Sequence, residues 1–334
     1  RMVIFMYHGF TRRPLPVGDA CFIEGKKFLS QLGLIKRSFR LVPLVRAAEV
    51  LEAGDRPGGR TPAAITIDDG FQSTYDIAYP ALLDAGIPAT VFPVSGFVGT
   101  DDTLWYCRLH EAITRTRRNR LKWGGLIYLL SGARSRSRSS LLLQEKLKYR
   151  PQNELVQAVE TISRTLGVDP HAPVAEASPF RMLAGGAIRE MAASDLIDFG
   201  AHTHTHPILS RIPPAEQRHE ILTSMEKISE FTGRPCYTFA YPNGTPKDYT
   251  DETVHLLKCM NIRVAVTTTW GPNDKDTPLT ALKRCGFDAR VSPAWFRVQT
   301  KLLAMPPERR ALINSGLFRS PIRRLVRQWR RAEG

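Results

Sequence analysis

An α/β fold built on a mainly parallel sheet is what this sequence predicts, from three observations. Short β-branched or apolar runs alternate with amphipathic helical stretches along most of the chain. Two of these runs end in clusters of titratable side chains, where α/β sheets carry their chemistry. The length of 334 residues suits one α/β barrel carrying insertions.

The strand-like runs are VIFMY (3–7), AAITI (63–67), ATVFPV (89–94), IDFGA (197–201), CYTFAY (236–241) and RVAVTTT (263–269). Between them lie helical patterns at LVPLVRAAEVLEA (41–53), TYDIAYPALLDAG (74–86), AEQRHEILTSMEKISEFTG (215–233) and DETVHLLKCMN (251–261). Gly86 and Gly233 stand where helices end on a left-handed residue. Residues 103–185 break the rhythm: LWYCRLHEAI, LIYLL, LLLQEKLKY and ELVQAVETISRTLG read as helices, with the Arg-Ser tract RSRSRSS (134–140) as a solvated, flexible loop. The predicted organisation is a body of residues 1–102 and 186–302, a basic helical insertion at 103–185 and a basic appendage at 303–334.

Hydrophobic content of 43% and aromatic content of 9% are those of an ordinary globular protein, and no run approaches the ~18 apolar residues of a membrane span. Five scattered cysteines without a Cys-x-x-Cys pair suggest neither a disulfide framework nor a thiolate metal site, and suit a reducing, cytoplasmic compartment. Residues 2–6 are too short for a signal-peptide core; sequence upstream of Arg1 leaves export open. The net charge of +15 is local, because residues 115–150 carry +10 and residues 309–334 carry +7. With no nucleic-acid module and no aromatics interleaved among the basic residues, nucleic acid is not the expected partner.

Asp68 and Asp69 close the run AITIDDG, and two like charges side by side call for a cation or a shared proton. Gly70 lets the backbone turn there, so both carboxylates can reach one opening; a helix cap is the simpler alternative. The run DFGAHTHTHP (198–207) ends in His202, His204 and His206. In a helical turn His202 and His206 share a face and His204 points away, a rim or supporting group. Two histidines and one carboxylate leave an open position on a zinc-like ion, and the second carboxylate can then serve as base. Chemistry alone does not assign which aspartate does which.

These residues resemble the polysaccharide deacetylase family, the carbohydrate esterases with a NodB-homology domain. The resemblance rests on TIDDG (66–70), H-T-x-x-H-P (202–207) and FAYPNG (239–244), with MYHGF (6–10) and IPATVFPVSGFVG (87–99) similar to the FAYP-type branch. It implies a distorted barrel of about seven β/α units and a divalent cation, zinc first, with cobalt, nickel or manganese as alternatives. Asp69, His202 and His206 would hold that cation and Asp68 would be the general base. Thr203 would steady the histidine loop by hydrogen bonding. The backbone N–H of Tyr241, with Pro242 and Asn243 beside it, would serve substrate and oxyanion. Two departures follow. FAYPNG lacks the arginine that pairs with the base in many members, so Arg284 is nominated instead. The late Leu-x-His motif has no counterpart, because the last histidine is His255, and His8 is the candidate acid.

The resemblance implies a bacterial hydrolase of carbon–nitrogen bonds other than peptide bonds, acting in exopolysaccharide or cell-envelope synthesis. The expected reaction is removal of an N-acetyl or O-acetyl group from an amino sugar of a polysaccharide, glycolipid or lipid-linked oligosaccharide. Rival readings are a sugar deformylase or cyclic-imide hydrolase on the same scaffold, and a catalytically weak glycan-binding protein. In the tail, Ile322, Leu325, Val326 and Trp329 share one side of an arginine-rich helical pattern, as in helices that lie on anionic lipid at an inner membrane face.

Overall fold

The computed structural model describes residues 1–53 and 59–305. Seven parallel strands form the body: β1 (Val3–Tyr7), β2 (Pro62–Asp69), β3 (Ala89–Pro93), β4 (Ile197–Phe199), β5 (Thr238–Ala240), β6 (Val264–Trp270) and β7 (Leu282–Gly286). Their order around the sheet is β5-β6-β7-β1-β2-β3-β4, with Arg40–Leu41 added beside β2. Just past β4, Ala201 bridges to Phe239, and its N–H and C=O bond to Thr238 and Ala240 at 2.9 Å each. The sheet thereby becomes a nearly closed barrel. The closing point needs a glycine: a Cβ on Gly200 would stand 2.3 Å from both Phe92 and Thr238.

Alternation along the strands sorts side chains into two layers. Val3, Phe5, Ile65, Ile67 and Val91 face the surrounding helices, whereas Ile4, Ala64, Phe92, Val266 and Leu282 fill the lumen. Asp68 falls in the lumen register of Ala64 and Thr66, and Arg284 in that of Leu282. The helices are α1 (Gly25–Ser38), α2 (Ala47–Glu52), α3 (Tyr79–Ala85), α4 (Trp105–Arg115), α5 (Ala133–Leu147), α6 (Gln152–Thr165), α7 (Gly185–Ala193), α8 (Pro214–Thr232), α9 (Asp251–Cys259) and α10 (Pro293–Ala304). Gly86 and Gly233 end α3 and α8 at φ of 60° and 66°, as predicted.

Residues 103–185 hold α4, α5, α6 and a hairpin around a core of their own, which includes Leu109, Ile113, Leu121, Tyr128, Leu143 and Ile162. Two expectations fail here. LIYLL is a strand, Leu126–Leu129 paired with Arg120–Trp123, because Gly124 and Gly125 adopt φ of 55° and 75° and make a two-residue hairpin turn. The Arg-Ser tract lies within the first turns of α5 rather than in a loop. Two of its serines find carbonyl acceptors, Ser139 at Leu129 O in the hairpin and Ser137 at Gly18 O outside the insertion, while Arg136 bonds to the last carbonyls of α4. The predicted tail helix falls on residues 306–334, outside the described residues. No helix of the described residues is long and apolar enough to cross a membrane.

Candidate metal centre and active site

The site lies at the C-terminal ends of β1, β2, β4, β6 and β7. By strict alternation Asp69 would point at the helix layer, opposite Asp68. A φ of 70° at Asp69, followed by 80° at Gly70, turns it back toward the opening. The turn therefore begins at the aspartate itself and not only at the glycine. Asp69 Oδ1 stands 3.6 Å from Nε2 of His202 and 3.6 Å from Nε2 of His206.

The histidines do not sit on a helical turn. Residues 202–206 are irregular, with φ of 64° at Thr203 and 65° at His206, and the two rings meet edge-to-face at 4.9 Å. Left-handed φ at non-glycine residues costs of order 1–3 kcal/mol each and persists only where surroundings enforce it. Thr203 Oγ1 donates to His202 O at 2.6 Å and accepts from His206 N at 3.0 Å. Glu220, on α8, accepts from the N–H groups of His204 and Thr205 at 2.8 Å each and from Thr205 Oγ1 at 2.7 Å. His204 turns aside, Nδ1 lying 3.0 Å from Ser95 Oγ.

These residues fit a divalent cation. Two donors about 2.1 Å from one ion in tetrahedral geometry are roughly 3.4 Å apart, close to the spacing found here. His202 Nδ1 lies 2.7 Å from Ala240 O, which can only accept, so Nδ1 carries the proton and Nε2 offers its lone pair. The three donor atoms of Asp69, His202 and His206 lie within 4.8 Å of one another in a buried setting. Burial alone would raise the Asp69 carboxyl, but hydrogen bonding to His202 and the nearby histidine charges hold it well below the ordinary range. Burial, then the neighbouring His202, lowers His206 to about 4. For His202 burial also acts downward, yet the aspartates outweigh it and the net direction is up.

Arg284 is fully buried and grips Asp68 with both ends of its fork, Nη1 to Oδ1 at 2.7 Å and Nη2 to Oδ2 at 2.6 Å. Its Nε donates to Thr267 O at 2.8 Å and Nη1 also reaches Thr66 Oγ1 at 3.2 Å. Burial pushes the Asp68 carboxyl up, and the charge and hydrogen bonds of Arg284 bring it below its ordinary value. His8 Nε2 stands 4.0 Å from Asp68 Oδ2. With Asn243 it lines a cavity of ≈ 250 Å³ that opens onto all three metal-donor residues. Pro242 is buried and does not line this cavity. Tyr241 lines the same cavity; its N–H donates to Val266 O at 3.2 Å in the barrel ladder and its ring stacks on Tyr249.

The insertion supplies groups that sequence reasoning missed. Tyr106, on α4, donates from its hydroxyl to Asp69 Oδ2 at 2.7 Å. Burial, then the adjacent Asp69, pushes the phenol well above its ordinary value, so it is a firm donor. Gln144, Glu145 and Lys148, at the end of α5, line the same cavity. Nothing in LWYCRL distinguishes Tyr106 from a packing aromatic, and Glu220 looks like any exposed acid of an amphipathic helix.

The polysaccharide deacetylase family model matches residues 175–265, a span that includes the histidine loop. Over those residues the chain is similar to the polysaccharide deacetylase family. That family bears out the expected class, a hydrolase of carbon–nitrogen bonds other than peptide bonds. Among solved structures, the Streptococcus pyogenes deacetylase PplD in complex with acetate is similar at 18% identity and a TM-score of 0.59, over 91% of this chain and 98% of that one. BC0361, a polysaccharide deacetylase from Bacillus cereus, is similar at 17% identity and a TM-score of 0.57, over 90% of this chain and 69% of that one. IcaB from Ammonifex degensii is similar at 20% identity and a TM-score of 0.56, over 90% and 97%. At these identities the likeness is one of fold, and it agrees with the expected barrel. A comparison with curated protein sequences gives no match.

Proposed function

We propose that this protein is metal-dependent and removes an N-acetyl group from an amino sugar of a glycan, with O-acetyl release as the lesser variant. The observation that carries the reading is the pairing, in one buried cavity, of a three-donor cluster with a second carboxylate locked by arginine. A divalent cation held by Asp69, His202 and His206 would supply Lewis acidity toward the acyl carbonyl. Asp68 accepts the proton of the attacking water. Arg284 keeps that carboxylate ionised and aimed, and the proton that Asp68 takes up replaces the one that His8, 4.0 Å away, gives to the amine. His8 donates to the departing amine. Tyr106 occupies the second oxygen of Asp69 and leaves one for the cation.

The cavity of ≈ 250 Å³ is smaller than typical ligand pockets of ~300–1,000 Å³, which favours entry of one acylated ring. A neighbouring groove of ≈ 260 Å³ shares Met6, His8, Cys21 and Thr268 with it and includes Trp270, whose side chain is half exposed. That indole offers a flat apolar face to a second sugar residue of the chain.

The test is product release from acetylated amino sugars, with protein stripped by chelator and then reloaded with zinc, cobalt, nickel or manganese. Acetate should appear only after reloading, and Asp68→Asn should lower kcat by roughly 10²–10⁴ without loss of metal. Formate in place of acetate would identify a deformylase, and turnover by the stripped protein would remove the metal from the reading.

A further inference from the structure

The insertion carries a surface that the catalytic reading leaves unused. In the hairpin, Leu121 and Tyr128 pair across the strands and point into the insertion core. Arg120 opposite Leu129 and Lys122 opposite Ile127 therefore share the outer face, so cations and apolar side chains alternate there. Ile127 and Leu129 are each 60% exposed. On α5, Arg134, Arg138 and Leu142 recur at four-residue spacing and line, with Leu126, Ile127 and Leu129, an open groove of ≈ 790 Å³. Leu141 is exposed beside them.

This is a patch rather than scatter. Of the ten large apolar side chains most exposed among the described residues, five (Leu126, Ile127, Leu129, Leu141 and Leu142) lie here. The charge is equally one-sided: residues 112–144 contain seven Arg and one Lys and no Asp or Glu. Insertion pairs such as Arg115–Glu111, Lys148–Glu145 and Arg164–Glu160 lie elsewhere, and among the described residues none forms to Arg120, Lys122, Arg134 or Arg138.

We propose that this hairpin and the first half of α5 form a docking surface for an anionic lipid bilayer. A polyanion such as RNA explains the cations but not five exposed aliphatic side chains interleaved with them. Residues 306–334 of this chain, with eight Arg against two Glu, carry the wrong sign to cover the patch. A bilayer interface satisfies both features, headgroups meeting the cations while aliphatic side chains enter the acyl boundary. The same helix continues to Gln144, Glu145 and Lys148 at the catalytic cavity. Ten residues from Arg138 to Lys148 span about 15 Å, so a docked bilayer would lie one short helix from the cavity mouth.

The experiment is flotation of the full chain with vesicles of pure phosphatidylcholine or of phosphatidylcholine with one third phosphatidylglycerol. Wild type should float with the anionic vesicles alone. Ile127→Ser/Leu129→Ser and Arg134→Glu/Arg138→Glu should each weaken that partition by about tenfold or more, the first by lost apolar insertion and the second by lost attraction. Leu83→Ser, which removes a solitary exposed leucine of α3, should leave it unchanged. Unaltered thermal midpoints would show that the variants still fold. Full binding by both double variants would transfer the role to residues 306–334 and overturn the proposal. So would absence of wild-type binding, or equal loss in both double variants of binding to a mixed-sequence RNA that displaces the vesicles.

Discussion

The hydroxyl of Tyr106 and the carboxylate of Asp69 meet at 2.7 Å, joining the insertion to the metal-donor cluster of the barrel. A bond of this kind fixes which oxygen a carboxylate can offer. Tyr106→Phe should lower affinity for the divalent cation by about 10–100-fold. Loss of one hydrogen bond should shift stability by only ~1 kcal/mol. Competition with a chromophoric chelator measures the first, urea denaturation the second. Unchanged affinity would reduce Tyr106 to a packing role.

Arg284→Met should be destabilising by about 3–5 kcal/mol at pH 7, because it leaves Asp68 buried and charged. The sign with pH differs between the two proteins. In wild type the Asp68 carboxyl is depressed, so its stabilisation is present above the unfolded value of about 3.9 and is lost as pH falls through the folded one. In the variant, burial is the dominant remaining influence and raises that carboxyl, so the deficit shrinks on acidification. Urea midpoints at pH 7 and pH 5 test this. A gap that ignores pH would mean that Arg284 acts by packing alone.

Metal uptake should release protons near neutrality, and chiefly from one histidine. In the metal-free protein His202 is raised above its ordinary value while His206 is lowered to about 4. Cation binding requires both rings neutral, so affinity should fall about tenfold per pH unit below the His202 value. Titration calorimetry in buffers of different ionisation enthalpy counts the protons. No release at pH 6.5 would contradict the raised His202.

Glu220→Ala removes the carboxylate that holds the N–H groups of His204 and Thr205. Hydrogen exchange at those two amides should accelerate while the strand amides stay protected, since the loss is local. The metal should also bind more weakly, because the strained φ at Thr203 and His206 would lose part of its support. If exchange at 204 and 205 stays slow, the loop is held by Thr203 and Ser95 instead.

Six of the seven barrel strands announce themselves by β-branched or apolar runs. The seventh, Leu282–Gly286, does not: LKRCG is polar and short, and it is a strand because Leu282 and Arg284 fill the lumen. Helix α1 escaped notice although Phe28, Leu32 and Ile35 recur on one face, because Gly25 and Gly33 in its span weaken its helical signal. Gly124–Gly125 did signal the hairpin, yet the apolar length of LIYLL suggested a helix. In the site, Asp68, Asp69, His202 and His206 were legible because each pair is dense in local sequence. Arg284 was nominated only as a substitute for the arginine that the family resemblance implies, and the structure seats it on Asp68. Tyr106 and Glu220 act across tertiary distance, and the amide of Tyr241 was already taken by its neighbouring strand, which no local pattern encodes.

The partner of Asp68 lies 216 residues further along the chain, on the last strand of the barrel. During synthesis the β2 carboxylate therefore waits for its counter-charge until another 216 residues have been made. A nascent chain that stops short of Arg284 is not a smaller version of the enzyme, since closing it would bury an unmatched anion. The arginine thus acts as an assembly checkpoint: the lumen can be sealed at low energy only when the final strand has arrived.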